Sequence, residues 1–164
     1  MHKQDIVIIG AGSMTLELID FIGDLNKVNH NKIEVTDVLH DDSESSKTND
    51  IKKLFNINFN EVKSFDEIEK IETKKFIISI ADTRAKEKYL KKLTSANLKL
   101  ISIIHPSAHV STNAKLGEGL IISPLSYIGA NSIIEDNSII NANCTVGHDV
   151  HLGPSSICSP GTRL

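Results

Sequence analysis

The sequence predicts an α/β, Rossmann-like N-terminal domain followed by a left-handed parallel β-helix built of hexapeptide repeats. Three observations predict it. An aliphatic or similar residue recurs at every sixth position without a gap: Ile104, Val110, Leu116, Ile122, Ile128, Ile134, Ile140, Val146, Leu152, Cys158 and Leu164. Four residues after most of these comes a small or β-branched residue, namely Ala108, Ala114, Ser126, Ser132, Ser138, Cys144, Val150, Ser156 and Thr162, with Leu120 the one large member. Upstream of Ile104, short apolar runs alternate with helical patterns, as they do in parallel sheets.

A period of six fits neither the 3.6-residue helix nor the two-residue alternation of a hairpin sheet. It suits a three-sided coil in which each six-residue segment supplies one short strand and one corner. Three segments make a turn, so residues eighteen apart stack. The aliphatic residues fill the prism, the small ones are expected in the tight corners, and ten segments give slightly over three turns. The fifth residue after each repeat start points outward and falls into three columns. Two of these are mostly polar. The third contains Ile121, Ile139 and Ile157, an apolar stripe that a lone chain would expose and a homotrimer would bury.

In the first half, Ile6-Val7-Ile8-Ile9 reads as a buried strand within Asp5–Gly12, and it ends in Gly10-Ala11-Gly12. The helical pattern Leu16, Ile19, Phe21, Ile22 follows. A strand, glycine turn and helix can turn backbone N–H groups towards a phosphate, or can be a close-packed turn without a ligand. Thr15 stands where the dinucleotide fingerprint has its third glycine. A second strand, Ile33–Leu39, runs into Asp41 and Asp42, and a third, Phe76–Ile80, runs into Ala81-Asp82 before a helix over Arg84–Leu93. Both acidic groups thus fall at carboxyl ends of strands, the edge where open parallel sheets bind ligands, though Asp41 and Asp42 read equally well as solvated turn residues. Asp42–Asn49 reads as a loop and Lys99–Ile103 as a last strand. The expected domains are 1–101 and 102–164.

The chain has 164 residues, 40% of them hydrophobic, and a formal charge of −3 with no extended basic surface, so nucleic acid is not an expected partner. No apolar run is long enough for a membrane helix, and the N-terminus enters a strand rather than a signal peptide, so a cytoplasmic protein is expected. Cys144 and Cys158 are too few for a disulfide scaffold and lack zinc-site spacing; reduced structural thiols are expected. His148 with His151, and His105 with His109, lack a third ligand, so no metal is expected. No Gly-x-Ser-x-Gly turn supports a hydrolase. A nicotinamide-dependent oxidoreductase would leave the hexapeptides unexplained.

The order of parts, with Ile104-His105-Pro106-Ser107-Ala108 at the junction and Asn141 and Val146-Gly147-His148-Asp149 in the hexapeptides, resembles the sialic acid O-acetyltransferase (NeuD) and bacillosamine N-acetyltransferase (PglD) family of sugar acyltransferases. The resemblance runs over essentially the whole chain. It implies transfer of acetyl from acetyl-CoA, a co-substrate, to an amine or hydroxyl of a nucleotide-linked sugar, at a site between subunits of a trimer. It implies His148 as general base, Asp149 as the acid that orients it, and Asn141 as an acceptor contact. It further implies Gly10, Gly12, Asp41 and Asp42 on the nucleotide-sugar face, and Gly153 and Gly161 beside coenzyme A. The chain departs from the family at Ser13-Met14-Thr15, in place of Gly-His-Gly, and at Ile157, in place of a second histidine. It stops at Leu164, where relatives continue for several coils. The rival expectation is a catalytically silent member that keeps only a nucleotide-sugar pocket.

Overall fold

The computed structural model describes residues 3–40, 45–68 and 74–164. It divides into two compact units, Met1–Leu100 and Ile101–Leu164.

The first unit contains β1 (Lys3–Ile9), α1 (Ser13–Val28), β2 (Lys32–Leu39), α2 (Ser45–Phe55), β3 (Asn60–Val62), α3 (Phe65–Ile68), β4 (Lys75–Ile78) and α4 (Thr83–Ser95). Its four strands form a parallel sheet in the order β3-β2-β1-β4. Ile6, Val7, Ile8 and Ile9 are all wholly buried, as expected of a central strand covered on both faces. Val7, Ile9, Leu39, Phe76 and Ile78 make one cluster with Val62, Phe65 and Leu93.

Two expectations about this unit need correction. The stretch Asp42–Asn49 is not all loop, because α2 begins at Ser45. Its serines, asparagine and aspartate are weak helix formers, yet Thr48 and Ile51 are buried and that packing outweighs propensity. Lys99–Ile103 is not one strand. Leu100 makes a single bridge to Phe76, and Ile103 already belongs to the coil.

The second unit is a regular coil of ten two-residue strands: β5 (Ile103–Ile104), β6 (His109–Val110), β7 (Lys115–Leu116), β8 (Ile121–Ile122), β9 (Tyr127–Ile128), β10 (Ile133–Ile134), β11 (Ile139–Ile140), β12 (Thr145–Val146), β13 (His151–Leu152) and β14 (Ile157–Cys158). They stack into three parallel sheets, β5-β8-β11-β14, β6-β9-β12 and β7-β10-β13. Partners lie eighteen residues apart, as Ile121 with Ile139 and Ile139 with Ile157. The sixth-residue series forms the core: Ile122, Ile128, Ile134, Ile140 and Val146 are each wholly buried.

The corners are not where the small residues lie. Each corner is a two-residue turn two and three positions after the core residue. The second turn residue has a left-handed backbone at Gly119, Leu125, Asn131, Asn137, Asn143, Asp149, Ser155 and Gly161, with φ from 57° to 75°. All four prolines, Pro106, Pro124, Pro154 and Pro160, occupy the first turn residue. Proline followed by a left-handed residue is the pattern of a type II turn. The small residues point inward beside the corner and spend their hydroxyls on its carbonyls: Ser132 Oγ donates to Gly129 O at 2.7 Å, and Ser156 Oγ to Gly153 O at 2.7 Å. The free thiols Cys144 and Cys158 are both buried.

The outward apolar column also differs from expectation. Ile121 and Ile139 are 0% and 1% exposed within the single chain, and Ile157 is only partly exposed. An exposed stripe was expected because outward strand positions of an isolated coil face water; in the folded chain these side chains are already covered, so they give no argument for a trimer.

Lys86, on α4, is wholly buried, with Nζ donating to Ile78 O at 3.3 Å. Burial pushes its ammonium down to about 7 from an ordinary 10.5. Below about 7 both folded and unfolded chains hold the proton, and the burial penalty is fully present. Between about 7 and 10.5 the unfolded chain holds a proton that the folded chain lacks, so stability rises with pH. Chemical denaturation from pH 7 to 9 is therefore expected to show the wild type gaining on Lys86→Met by up to about 1.4 kcal/mol per pH unit. Parallel profiles would contradict a lysine that loses its proton in the fold.

Candidate active site

His148 and Asp149 are the two turn residues of the corner after β12. Because they are consecutive at a turn, both side chains leave the prism instead of entering the core, and they are exposed at 83% and 60%. The left-handed φ of Asp149, 63°, is one that aspartate and asparagine adopt more readily than most residues. His148 Nδ1 lies 2.5 Å from Asp149 Oδ2. An ionised carboxylate only accepts, so the ring nitrogen donates. In the neutral ring that places the proton on Nδ1 and leaves Nε2 with a lone pair. Asp149 is held below the usual carboxylate range by the Asn131 side-chain amide first and by His148 second. It is thus ionised wherever imidazole titrates near neutrality.

Two neighbours absent from the expected site support this pair. Asn131 sits eighteen residues before Asp149 and donates its Nδ2 to Asp149 Oδ1. Gly129 lies under the backbone of the next coil, where a Cβ would come within 2.6 Å of Gly147 C and 2.7 Å of His148 N. The sequence signal for Asn131 was the eighteen-residue stacking itself, applied to the corner column rather than to the outward strand column.

The other expected residues are placed less directly. Asn141 follows β11, and its Nδ2 donates to Cys158 O at 2.7 Å. A carbonyl partner requires the NH2 group, which fixes the amide orientation. Gly161 has a φ of 75° and is explained as a corner residue. Gly153 has no positive φ, and nothing lies within 4 Å of an added Cβ. Asp41 and Asp42 lie outside the described residues. His151 pairs with Glu135 at 2.5 Å, His105 Nδ1 with Ser107 Oγ at 2.8 Å, and the His109 ring stacks on Tyr127 at 5.2 Å. Among the described residues no group of three or more His, Cys, Asp or Glu is placed to hold a metal ion.

In the first unit, a cleft of about 390 Å³ opens at the carboxyl ends of the strands, lined by Gly10, Gly12, Ser13, His40, Ser79, Lys88 and Tyr89 among others. Gly10 has a φ of 114°, and a Cβ there would lie 2.9 Å from Ile80. Thr15, expected to be a missing glycine, is instead wholly buried in the first turn of α1. Its hydroxyl donates to Gly10 O at 2.9 Å and lies 2.7 Å from Ser79 Oγ, so it ties the glycine turn to the sheet. The N-cap of α1 is Gly12, with no side-chain cap and no acidic residue in the first turn. Such an end accepts an anion, and Lys88 adds a cation at the cleft wall.

Gly129→Ala is expected to destabilise the coil by about 1–3 kcal/mol, because backbone rather than a flexible side chain must yield. Gly153→Ala, which meets nothing, serves as the matched control. Equal denaturation midpoints for the two variants would refute the close-approach argument.

No protein-family model matches the chain. A GDP-perosamine N-acetyltransferase from Escherichia coli O157:H7 is 28% identical over 90 residues, which is 55% of this chain and 41% of that relative. Among solved structures, PerB from Caulobacter crescentus, in complex with CoA and GDP-perosamine, superposes with a TM-score of 0.79 at 24% identity. It covers 98% of this chain and 70% of its own. The acetyltransferase domain of PglB from Neisseria gonorrhoeae FA1090, in complex with acetyl coenzyme A, gives 0.77 at 22% identity, covering 98% and 73%. WeeI from Acinetobacter baumannii AYE gives 0.75 at 19%, covering 98% and 71%. The fold of this chain is therefore the fold of these solved structures.

Proposed function

We propose that the chain transfers an acetyl group from acetyl-CoA to an amine or hydroxyl of a nucleotide-linked sugar, with His148 as general base. The observation that carries this reading is the exposed His148–Asp149 pair at 2.5 Å, which in the neutral ring leaves Nε2 as the acceptor. The attacking nitrogen or oxygen bonds to the thioester carbonyl carbon and gives its proton to His148 Nε2. Collapse of the tetrahedral adduct breaks the carbon–sulfur bond, and the proton passes to the departing thiolate. A placed base supplies about 10²–10⁴-fold in such a step. No covalent enzyme intermediate is required.

Asn141 is assigned to the acceptor: its NH2 group is committed to Cys158 O, which leaves the amide oxygen for a substrate hydroxyl or amine. Gly10, Gly12 and the α1 N-terminus are assigned to the phosphates of the nucleotide sugar, and Gly153 and Gly161 to the coenzyme A side. We read the first 101 residues as a Rossmann-like domain, on the parallel β3-β2-β1-β4 order with its cleft at the carboxyl edge, and residues 102–164 as a left-handed β-helix. Asp149 and His148 are widely exposed in one chain, whereas acyl transfer benefits from exclusion of water; a homotrimer with a neighbour over this corner answers that need. We assign the reaction to the cytoplasm.

Free-thiol release from acetyl-CoA, measured against UDP- and GDP-linked amino sugars and sialic acid, tests the reading. Turnover is expected, and His148→Ala is expected to lower kcat by about 10²–10⁴-fold with the fold intact. Asp149→Asn, which keeps the left-handed corner but loses the charge, is expected to lower kcat in the same direction by a smaller factor. Turnover undiminished by His148→Ala would overturn the assignment of the base. A folded chain that binds nucleotide sugar and never turns over would support the silent reading.

A further inference from the structure

We propose that Asn131 is a positioning residue that orients the Asp149 carboxylate and thereby holds the proton of His148 on Nδ1. This inference rests on the reading of His148 as the base.

The two carboxylate oxygens of Asp149 are divided between two donors. Oδ1 accepts from Asn131 Nδ2, and Oδ2 from His148 Nδ1. A carboxylate held by one hydrogen bond alone is free to rotate about its terminal torsion, which is a broad one. Held at both oxygens, it presents Oδ2 to the ring in a fixed direction. The backbone on either side is fixed by the coil as well: Asn131 N donates to Asn113 O and Asp149 N to Ala130 O, both at 3.2 Å. Asn131 and Asp149 occupy the same corner position of successive coils and share a left-handed backbone, with φ of 61° and 63°. Their side chains therefore project from equivalent backbone positions and meet. The lowering of the Asp149 pKa, owed first to the Asn131 amide, agrees with this contact.

The same coil provides an internal comparison. Asn137 occupies the next corner, also left-handed at 59°, and its Nδ2 donates to Ser155 Oγ at 2.9 Å. That pair is buried and has no histidine attached, so its role is structural. An asparagine that only secures a corner should behave like Asn137. One that positions the base should do more.

The test compares Asn131→Gly, Asn131→Asp and Asn137→Gly with the wild type. Glycine keeps the positive φ while deleting the amide. Asn131→Asp keeps the shape and backbone preference but sets a second carboxylate against Asp149. The first readout is nitrogen-15 NMR of histidine-labelled free protein above the imidazole titration range, which needs no turnover. The wild type is expected to hold the Nδ1–H tautomer at His148. Both Asn131 variants are expected to shift towards the Nε2–H tautomer favoured by free histidine side chains, and Asn137→Gly to keep the wild-type tautomer. The second readout is kinetic: the Asn131 variants lose about tenfold or more in kcat, within the range a placed base supplies, while KM for acetyl-CoA changes less than about twofold. Asn137→Gly lowers the denaturation midpoint and leaves kcat unchanged. An unaltered His148 tautomer in both Asn131 variants, or an Asn131→Gly profile that matches Asn137→Gly, would overturn the proposal. If the wild type itself shows no turnover, the transferase reading fails and the tautomer comparison still decides the role of Asn131.

Discussion

One backbone constraint organises the second half of this chain: every sixth residue from Gly119 to Gly161 must turn the chain with a positive φ. L-residues with a Cβ resist that conformation by roughly 1–2 kcal/mol, least so for asparagine and aspartate. The constraint explains why three asparagines, an aspartate and two glycines stand in this column, and why proline precedes three of its members. It also sets the site. A corner is where two consecutive side chains leave the prism, and the residue type that tolerates its second position is the type that can hold a histidine. His148 and Asp149 thus lie where backbone preference and proton chemistry call for the same amino acid.

Stacking at eighteen residues then does for the corner what the core does for the strands. Two corner side chains find a counterpart one coil away, Asn131 with Asp149 and Asn137 with Ser155. Gly129 serves the same stacking from the opposite direction, since its lack of a Cβ lets the backbone of His148 approach. The pair that faces solvent and the pair that is buried use one geometry. Only the residue attached next to it distinguishes the buried corner from the one to which we assign the chemistry.

Much of this was legible in the sequence. The sixth-residue series specified the strands and their stacking because its members from Ile122 to Val146 are wholly buried and a single polar substitution there would show. The strand and glycine turn at Gly10–Gly12 were legible for the same reason: an uninterrupted run of apolar residues ending in glycine has few other uses. Three things were not. The small residue after each repeat was read as the corner, when the positive φ falls one residue earlier; small size marks tight space both at a turn and inside it, and only the asparagine and proline columns separate the two. Helix α2 was hidden because its first residues favour turns and its burial comes from distant packing. The burial of Ile121 and Ile139 was hidden because a repeat pattern reports which way a side chain points and says nothing about whether that side is open to solvent.

The overlap between corner and site has a consequence for how substitutions in this chain should be read. Replacing Asp149 or Asn131 by alanine removes a side chain and also imposes a left-handed backbone on a residue that resists it, so lost activity would mix chemistry with strain. Glycine separates the two, because it accepts the positive φ and contributes no hydrogen bond. Asparagine in place of aspartate separates them in the other direction, keeping the backbone preference and the shape while removing the charge. His148 carries no such ambiguity, since the first turn residue has ordinary φ and alanine there deletes only the ring. The chemistry of this corner is therefore best dissected with glycine and isosteric changes at the second turn position and with alanine at the first.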